Sequence, residues 1–182
     1  HYQIMTRDRN TTTVNGMGYT GEGAPWFVPR AASDERGVIE TCEVRSTADS
    51  PDGVLYVCGN TAALYKPELG VRKCRRRILS FLPHFFLLVV DLAATAEASL
   101  EWNLGFGHGT QVQLGDAGQF AVSKGEVRVA GMVIAPEECE MSLETAGLAK
   151  SYSDKLGDQE VLRLTQHAAA ARYIVLFLPG ID

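Results

Sequence analysis

The chain has 182 residues, a mass of 19.8 kDa and 46% hydrophobic residues, which suits one globular domain with a sizeable core. Its 17 Lys and Arg against 22 Asp and Glu give a net charge of -5, which argues against general nucleic-acid binding, because domains of that kind are strongly basic. The longest nearly apolar stretch, residues 78–90, covers about 13 residues, whereas a membrane-spanning helix needs roughly 20.

The N-terminal fifth of the chain has few strand signals. The chain starts at His1 without an initiator Met or an apolar leader, so we expect a piece of a longer polypeptide. Residues 18–36 contain several Gly and Pro and predict one long loop. Tyr19 and Trp26 lie in that loop, where aromatic rings can stack on the faces of sugars, although core packing is an equal alternative.

Alternation of apolar and polar residues predicts β-strands through most of the chain. The alternating segments are residues 100–106, 111–114, 126–129 and 162–165. Trp102 shares a face with Leu100 and Leu104, which favours core packing for its ring. Two runs, residues 85–90 and 173–178, are apolar on both faces and predict central strands that are covered on both sides.

Turn-forming residues separate these strands at short intervals and predict antiparallel hairpins. The turn segments are Asn15-Gly16, Pro51-Asp52-Gly53, Gly115-Asp116-Ala117-Gly118, Lys124-Gly125 and Leu156-Gly157-Asp158. The alanine-rich residues 93–98 and 166–171 are too short for more than a turn or two of helix. We therefore predict a single all-β domain over residues 1–182, a two-layer antiparallel β-sandwich of jelly-roll or supersandwich type. It would have about ten to twelve strands and little helix.

The strongest charge feature is the run Arg72 to Arg77, which holds five cations in six residues. On a strand, Lys73, Arg75 and Arg77 lie on one face, and Arg72 and Arg76 lie on the other. Such a row could bind the carboxylates or sulfates of an acidic polymer. The alternative is a solvated or edge strand that its charge protects from aggregation.

The cysteines and histidines give no metal-binding spacing. Four cysteines lack a C-x-x-C pair and predict small buried thiols, although one disulfide stays open: Cys42, Cys58, Cys74 and Cys139. His84 follows Pro83 in a predicted turn. His108 lies between glycines at the end of a strand, which makes it the one candidate ligand for a metal or substrate. We predict no cofactor, and a structural divalent metal stays open.

Two motifs and the last predicted strand carry a resemblance to the heparinase II/III-like polysaccharide lyases, a family that includes heparin, heparan and oligo-alginate lyases. Residues 10–19, NTTTVNGMGY, resemble the family's H-N-T-x-x-V-[DN]-G-x-G-Q segment. Residues 77–91, RILSFLPHFFLLVVD, followed by Glu101-Trp102-Asn103-Leu104, are similar to its R-x-[VL]-x-F-x-x-P-x-[YF]-x-[VL]-[VL]-V-D and E-W-x-[LF]-H segments. Residues 171–179 resemble its last strand.

The resemblance implies the C-terminal β-sandwich of a larger lyase, whose N-terminal α/α toroid would be the partner domain in the same protein. Such lyases cleave uronate-containing polysaccharides by β-elimination. In the family, a carboxylate-neutralising Asn or His and a catalytic Tyr come from the toroid, so this chain alone would be catalytically incomplete. The resemblance also implies a periplasmic or secreted parent protein and an acidic polysaccharide as the ligand.

The first motif differs from the family at one important position. The family has His before the Asn-Thr pair, and this chain has Arg9, which keeps its proton at neutral pH and is a poor base. We predict no catalytic residue in the chain, and we predict substrate contacts from five residues: Arg7, Arg9, Asn10, Tyr19 and Trp26. The alternatives are a stand-alone carbohydrate-binding or structural sandwich, and a cupin-type enzyme, which would need clustered His ligands.

Overall fold

The computed structural model describes residues 10–19, 37–47, 50–81, 83–147 and 158–180. These residues form ten strands: β1 (Thr12–Val14), β2 (Val38–Thr47), β3 (Ser50–Asn60), β4 (Val71–Phe81), β5 (Phe85–Gly105), β6 (Gln111–Leu114), β7 (Gln119–Lys124), β8 (Val127–Ala135), β9 (Glu140–Gly147) and β10 (Asp158–Pro179). Two short 3-10 helices, Ala62–Leu64 and Pro67–Leu69, join β3 to β4. No helix in the described part of the chain has the length and apolar character needed to cross a bilayer.

All strand pairs are antiparallel, and they form one hydrogen-bonded sheet. The strand order is β2-β3-β4-β5-β10-β8-β7-β6, with β1 paired to β5 and β9 paired to β10. The prediction of an all-β antiparallel sandwich is confirmed. The structure adds that the two layers belong to a single continuous sheet rather than to two separate ones.

The two layers arise because the long hairpin of β5 and β10 folds over on itself. Tyr173 pairs in register with Val90, yet its hydroxyl donates a 2.5 Å hydrogen bond to the carbonyl of Leu100, further along β5. In a straight strand Val90 and Leu100 would lie about 33 Å apart. The Tyr173 ring also lies 6.2 Å from that of Trp102, and Trp102 is fully buried, as its pattern predicts. The core therefore lies between the two halves of the hairpin.

The fold-over occurs at the alanine-rich segments. The pairing of β5 with β10 shifts register between Ala168 and Ala170, opposite Ala98 and Ala93. Residues 93–98 and 166–171, which are too short for more than a turn or two of helix, are thus strand throughout. Methyl side chains leave room for the backbone to bend, and pairing across the hairpin satisfies the amides that a helical turn would have bonded locally.

The two doubly apolar runs are central strands, because β5 lies between β4 and β10 and β10 lies between β5 and β8. The prediction that both of their faces are covered holds for the inner face and only in part for the outer face. Tyr173, Val175 and Phe177 are buried on the inner face, whereas Ile174 and Leu176 are half-buried on the outer face.

The turns at residues 15–16, 115–118 and 124–125 are confirmed, with positive φ at Asn15, Ala117 and their following glycines. Pro51-Asp52-Gly53 is part of β3 instead, because Thr47 already pairs with Ser50 in the hairpin. Residues 156–157 and 20–36 lie outside the described residues.

The four cysteines are free thiols. Cys58 and Cys74 are buried as predicted, Cys139 is half-buried, and Cys42 is exposed, so the prediction of a buried thiol is wrong for Cys42. Cys42 lies on β2, the strand at the end of the sheet, where one flank has no neighbouring strand among the described residues.

Candidate functional site

A groove of about 240 Å³ lies on the inner side of β3 and β4, beneath the segment that carries β1. Its walls combine one cation, several hydroxyl and amide groups and an apolar floor. The lining residues are Asn10, Thr11, Thr12, Tyr19, Val57, Gly59, Thr61, Cys74, Arg76, Ile78 and Val90. The groove therefore unites the segment of the first motif with the strand that carries the basic run.

Asn10 and Tyr19, two of the predicted substrate-binding residues, reach this groove together. The side-chain oxygen of Asn10 accepts a 2.7 Å hydrogen bond from the backbone N–H of Gly105, so its amide NH₂ remains as the donating group. The Tyr19 ring packs edge-on against Tyr65 with centroids 5.0 Å apart, and its hydroxyl donates to Thr61 at 3.3 Å. Both side chains are thus held in place by neighbours on β5 and on the β3–β4 connection.

A buried polar network supports the groove from below. The Tyr65 hydroxyl donates to the carbonyl of Thr12 at 2.7 Å and also contacts the Thr12 hydroxyl. The Cys74 thiol lies 3.2 Å from the Thr12 hydroxyl and accepts a bond from Thr61 at 3.1 Å. Because these buried groups have partners, the network fixes β1 against β4 and keeps the groove in shape.

Arg76 is the cation of the groove. It pairs in register with Val90, which pairs in turn with Tyr173, and both of these side chains are buried in the core. Arg76 therefore projects from the inner face of β4 and is half-buried at the groove wall. Among the described residues, none of the ion pairs involves Arg76, so its guanidinium is available to an anionic ligand.

The groove keeps Tyr19 protonated. Burial raises the pKa of the Tyr19 hydroxyl, and the bond to Thr61 and the positive charge of Arg76 offset this only in part. Burial likewise raises the pKa of Tyr65 far above its usual value. At neutral pH both phenols are hydrogen-bond donors, which suits ligand binding better than proton abstraction.

Lys73, Arg75 and Arg77 project from the opposite, outer face, which confirms the predicted alternation. Arg75 pairs with Glu40, and Lys73 and Arg77 pair with Asp91. β4 lies inside the sheet between β3 and β5, so the edge-strand alternative is wrong. Arg72 donates to the carbonyl of Ala94 at 3.0 Å.

Of the remaining candidates from the sequence, only His108 belongs to the described residues, and it does not line the groove. Arg7, Arg9 and Trp26 lie outside the described residues. His108 is exposed between β5 and β6, with its Nδ1 3.3 Å from the carbonyl of Asp158. No cluster of three His, Cys, Asp or Glu side chains that could hold a metal exists in the described ranges.

Sequence reasoning did not assign Arg76 to a site. Alternation separated it from Lys73, Arg75 and Arg77, but both faces of β4 carry cations, so the pattern did not show which face lines a cavity. That distinction depends on the position of β1 and Tyr19, which are far from Arg76 in sequence.

The structure matches solved polysaccharide-lyase structures over nearly its whole length. A heparinase III gene product superposes with a TM-score of 0.68 and 15% identity over 93% of this chain. The heparan sulfate lyase HepC from Pedobacter heparinus gives 0.72 and 9% over 96%, and a second heparinase III structure gives 0.66 and 18% over 93%. The chain shares its fold with one part of these lyases.

The matched part is a minor portion of each lyase, because this chain spans only 23% to 24% of their length. Identities of 9% to 18% establish the common fold and nothing finer. No family model matches the sequence, and no curated protein matches it.

Proposed function

We propose that this chain is the β-sandwich domain of a larger polysaccharide lyase and that its groove binds an acidic sugar of a uronate-containing polysaccharide. One observation carries the proposal: Asn10 and Tyr19 share a groove with a cation, Arg76, that has no carboxylate partner among the described residues. The shared fold with the heparinase structures, and the fraction of their length that the chain spans, support its place in a multidomain enzyme.

The three side chains suit different parts of such a ligand. The planar guanidinium of Arg76 can hold a carboxylate or sulfate through two parallel hydrogen bonds. The Asn10 amide can donate to a ring hydroxyl, and the Tyr19 ring offers an apolar edge to a sugar. Arg7, Arg9 and Trp26 remain predicted contacts that would extend this surface.

In our proposal the chain contributes to the substrate cleft and is catalytically incomplete by itself. β-Elimination needs a neutralised uronate carboxylate, a base that takes the proton next to it and an acid that protonates the departing glycosidic oxygen. The described groove supplies hydrogen-bond donors and one cation, and these groups can neutralise the uronate carboxylate. An N-terminal α/α toroid in the same protein would supply the proton-transfer groups, and the parent protein would be periplasmic or secreted.

The first test is ligand binding by the 182-residue chain. Calorimetry with heparan sulfate, alginate and chondroitin fragments should show binding that Arg76→Gln weakens by roughly 10- to 150-fold, equal to about 1.5 to 3 kcal/mol for a charged hydrogen bond. Arg45→Gln is the matched control, because Arg45 is an exposed cation on β2 whose partner is Glu43. Equal affinity of the Arg76→Gln variant and the wild-type chain would overturn the groove assignment.

The second test is lyase activity, followed as the rise in ultraviolet absorbance of the unsaturated uronate product. We expect activity from the full protein that the gene encodes and none from the chain alone. If the full protein binds these polysaccharides without cleaving them, the chain is a carbohydrate-binding sandwich rather than part of a lyase.

A further inference from the structure

A second cationic surface lies on the outer face of the sheet, opposite the groove. Three cations surround the carboxylate of Asp91: Arg77 and Arg172 each at 2.6 Å and Lys73 at 3.3 Å. Arg75 adjoins them and pairs with Glu40 at 2.8 Å. We call Lys73, Arg75, Arg77 and Arg172 the outer cluster.

The register of the strands places these side chains in one plane. Arg75, Asp91 and Arg172 are directly opposite each other on β4, β5 and β10. With strands about 4.8 Å apart, the Cα atoms of Arg75 and Arg172 are separated by about 10 Å, and those of Lys73 and Arg77 by about 13 Å along β4. The charged ends of Lys73, Arg77 and Arg172 converge on Asp91, with Arg75 beside them, so the cluster presents several cationic groups together on one open face of the sheet.

The cluster keeps an uncompensated positive charge. Asp91 supplies one negative charge to Lys73, Arg77 and Arg172, so Asp91 and these three cations together have a net charge of +2. The whole chain has a net charge of -5. The Asp91 side chain is only 6% exposed, whereas those of Lys73 and Arg172 are 40% and 58% exposed. The buried carboxylate thus anchors the cations, and their remaining N–H groups face solvent.

We propose that the outer cluster is a second binding surface for an acidic polysaccharide and takes its sulfate or carboxylate groups. The class of ligand rests on the proposed function, but the site is separate from the groove because it lies on the other face of β4. Guanidinium groups that are already fixed in position lose little rotamer entropy when they bind an anion. A polyanion can occupy several of them at once, which raises its affinity above that of a single anionic group.

An acidic protein segment is the competing ligand, and the exposure of the cluster favours the polysaccharide. The side chains of Lys73 and Arg172 are 40% and 58% exposed, so they can bind the hydrated anionic groups of a sugar directly or through water without being buried. The half-buried Leu79, Leu87 and Leu176 beside the cluster would suit a protein partner, so the experiment includes an acidic peptide.

The test is calorimetric binding of heparan sulfate fragments to the folded chain and to a Lys73→Gln/Arg172→Gln variant. We expect about 3- to 30-fold weaker binding for the variant, with a shallower dependence on salt, because two partly exposed charge contacts are removed. Arg45→Gln is the control that removes a cation elsewhere on the sheet. Unchanged affinity would overturn the proposal, as would a polyglutamate peptide that binds the cluster more tightly than heparan sulfate.

Two additional variants distinguish an effect at the outer cluster from a folding defect and from an effect at the groove. Arg172→Lys keeps the charge and should keep most of the affinity, and urea unfolding checks that each variant is folded. Arg76→Gln alone tests the groove, and its effect should combine multiplicatively with that of the outer variant. If only Arg76→Gln weakens binding, the outer-cluster assignment fails. If only the Lys73→Gln/Arg172→Gln variant weakens binding, the groove assignment fails.

Discussion

At the scale of the single residue, a difference of one position on β4 decides which face of the sheet an arginine lies on and which groups it contacts. Arg75 and Arg76 are chemically identical neighbours, yet Arg75 pairs with Glu40 on the outer face and Arg76 lines the groove on the inner face. The pKa of Glu40 is lowered by the hydrogen bond from Arg75, so this pair is ionised at neutral pH. Alternation along a strand thus gives one basic run two separate roles.

Glycine at position 131 is required by the ring of Phe120. A Cβ atom added to Gly131 would overlap that ring, which is buried and also packs against Phe177 with centroids 5.5 Å apart. We expect Gly131→Ala to lower the free energy of unfolding by about 1 to 3 kcal/mol through overpacking. Gly107→Ala is the matched control, because the added Cβ meets no atom within 4 Å.

Urea unfolding followed by tryptophan fluorescence measures both glycine variants. The control should unfold within about 0.5 kcal/mol of wild type. Equal midpoints for the two variants would mean that the Phe120 ring can move aside at no cost, contrary to this account of the core.

At the scale of the element, the hairpin of β5 and β10 builds both layers because its bend is made of small residues. Ala171 is 7% exposed and pairs with Leu92, whereas Ala170, one position earlier, is exposed and pairs with Ala93. Phe177 and Phe120 are neighbours because both pair with Gly131 on β8, and Phe106, the residue after β5, lies 6.4 Å from Phe120. The distance between the two layers therefore depends on side-chain volume at the inner side of the bend.

A larger side chain at the bend tests this dependence. Ala171→Leu should destabilise the domain by about 1 to 3 kcal/mol, since the added carbons have no space in the core. Ala170→Leu should have little effect because its side chain points to solvent. The measurement is thermal unfolding of both variants, and a similar loss in each would refute the idea that the inner side of the bend is tightly packed.

At the scale of the whole molecule, Asp91 joins β4, β5 and β10 through ion pairs with residues of both neighbouring strands. Burial acts to raise the pKa of its carboxyl, but Arg172, Arg77 and Lys73 together outweigh burial and hold that pKa below its usual value. A carboxyl whose pKa is lower in the folded than in the unfolded state stabilises the fold while it is ionised. This contribution is present above pH 4 and is lost as the pH falls through the folded-state pKa.

Replacing Asp91 should reveal this contribution. Asp91→Asn removes the charged hydrogen bonds that join the three strands, while water can hydrate the partly exposed cations that remain, so it should lower the free energy of unfolding at pH 7 by about 1.5 to 3 kcal/mol. Its stability should also fall less steeply than that of wild type between pH 5 and pH 2, because the titrating group is gone. Parallel curves of stability against pH for the two proteins would contradict the assignment.

The sequence by itself determined the class of fold, the positions of most strands and turns, and the alternation on β4, because these depend on local periodicity and turn chemistry. It also selected Asn10 and Tyr19, through their motif. Only the tertiary structure decided that β5 and β10 fold over, that Arg76 lines the groove, and that Asp91 collects three cations from two strands. These features depend on pairing between residues that are distant along the chain, and one sequence carries no local signal of such register.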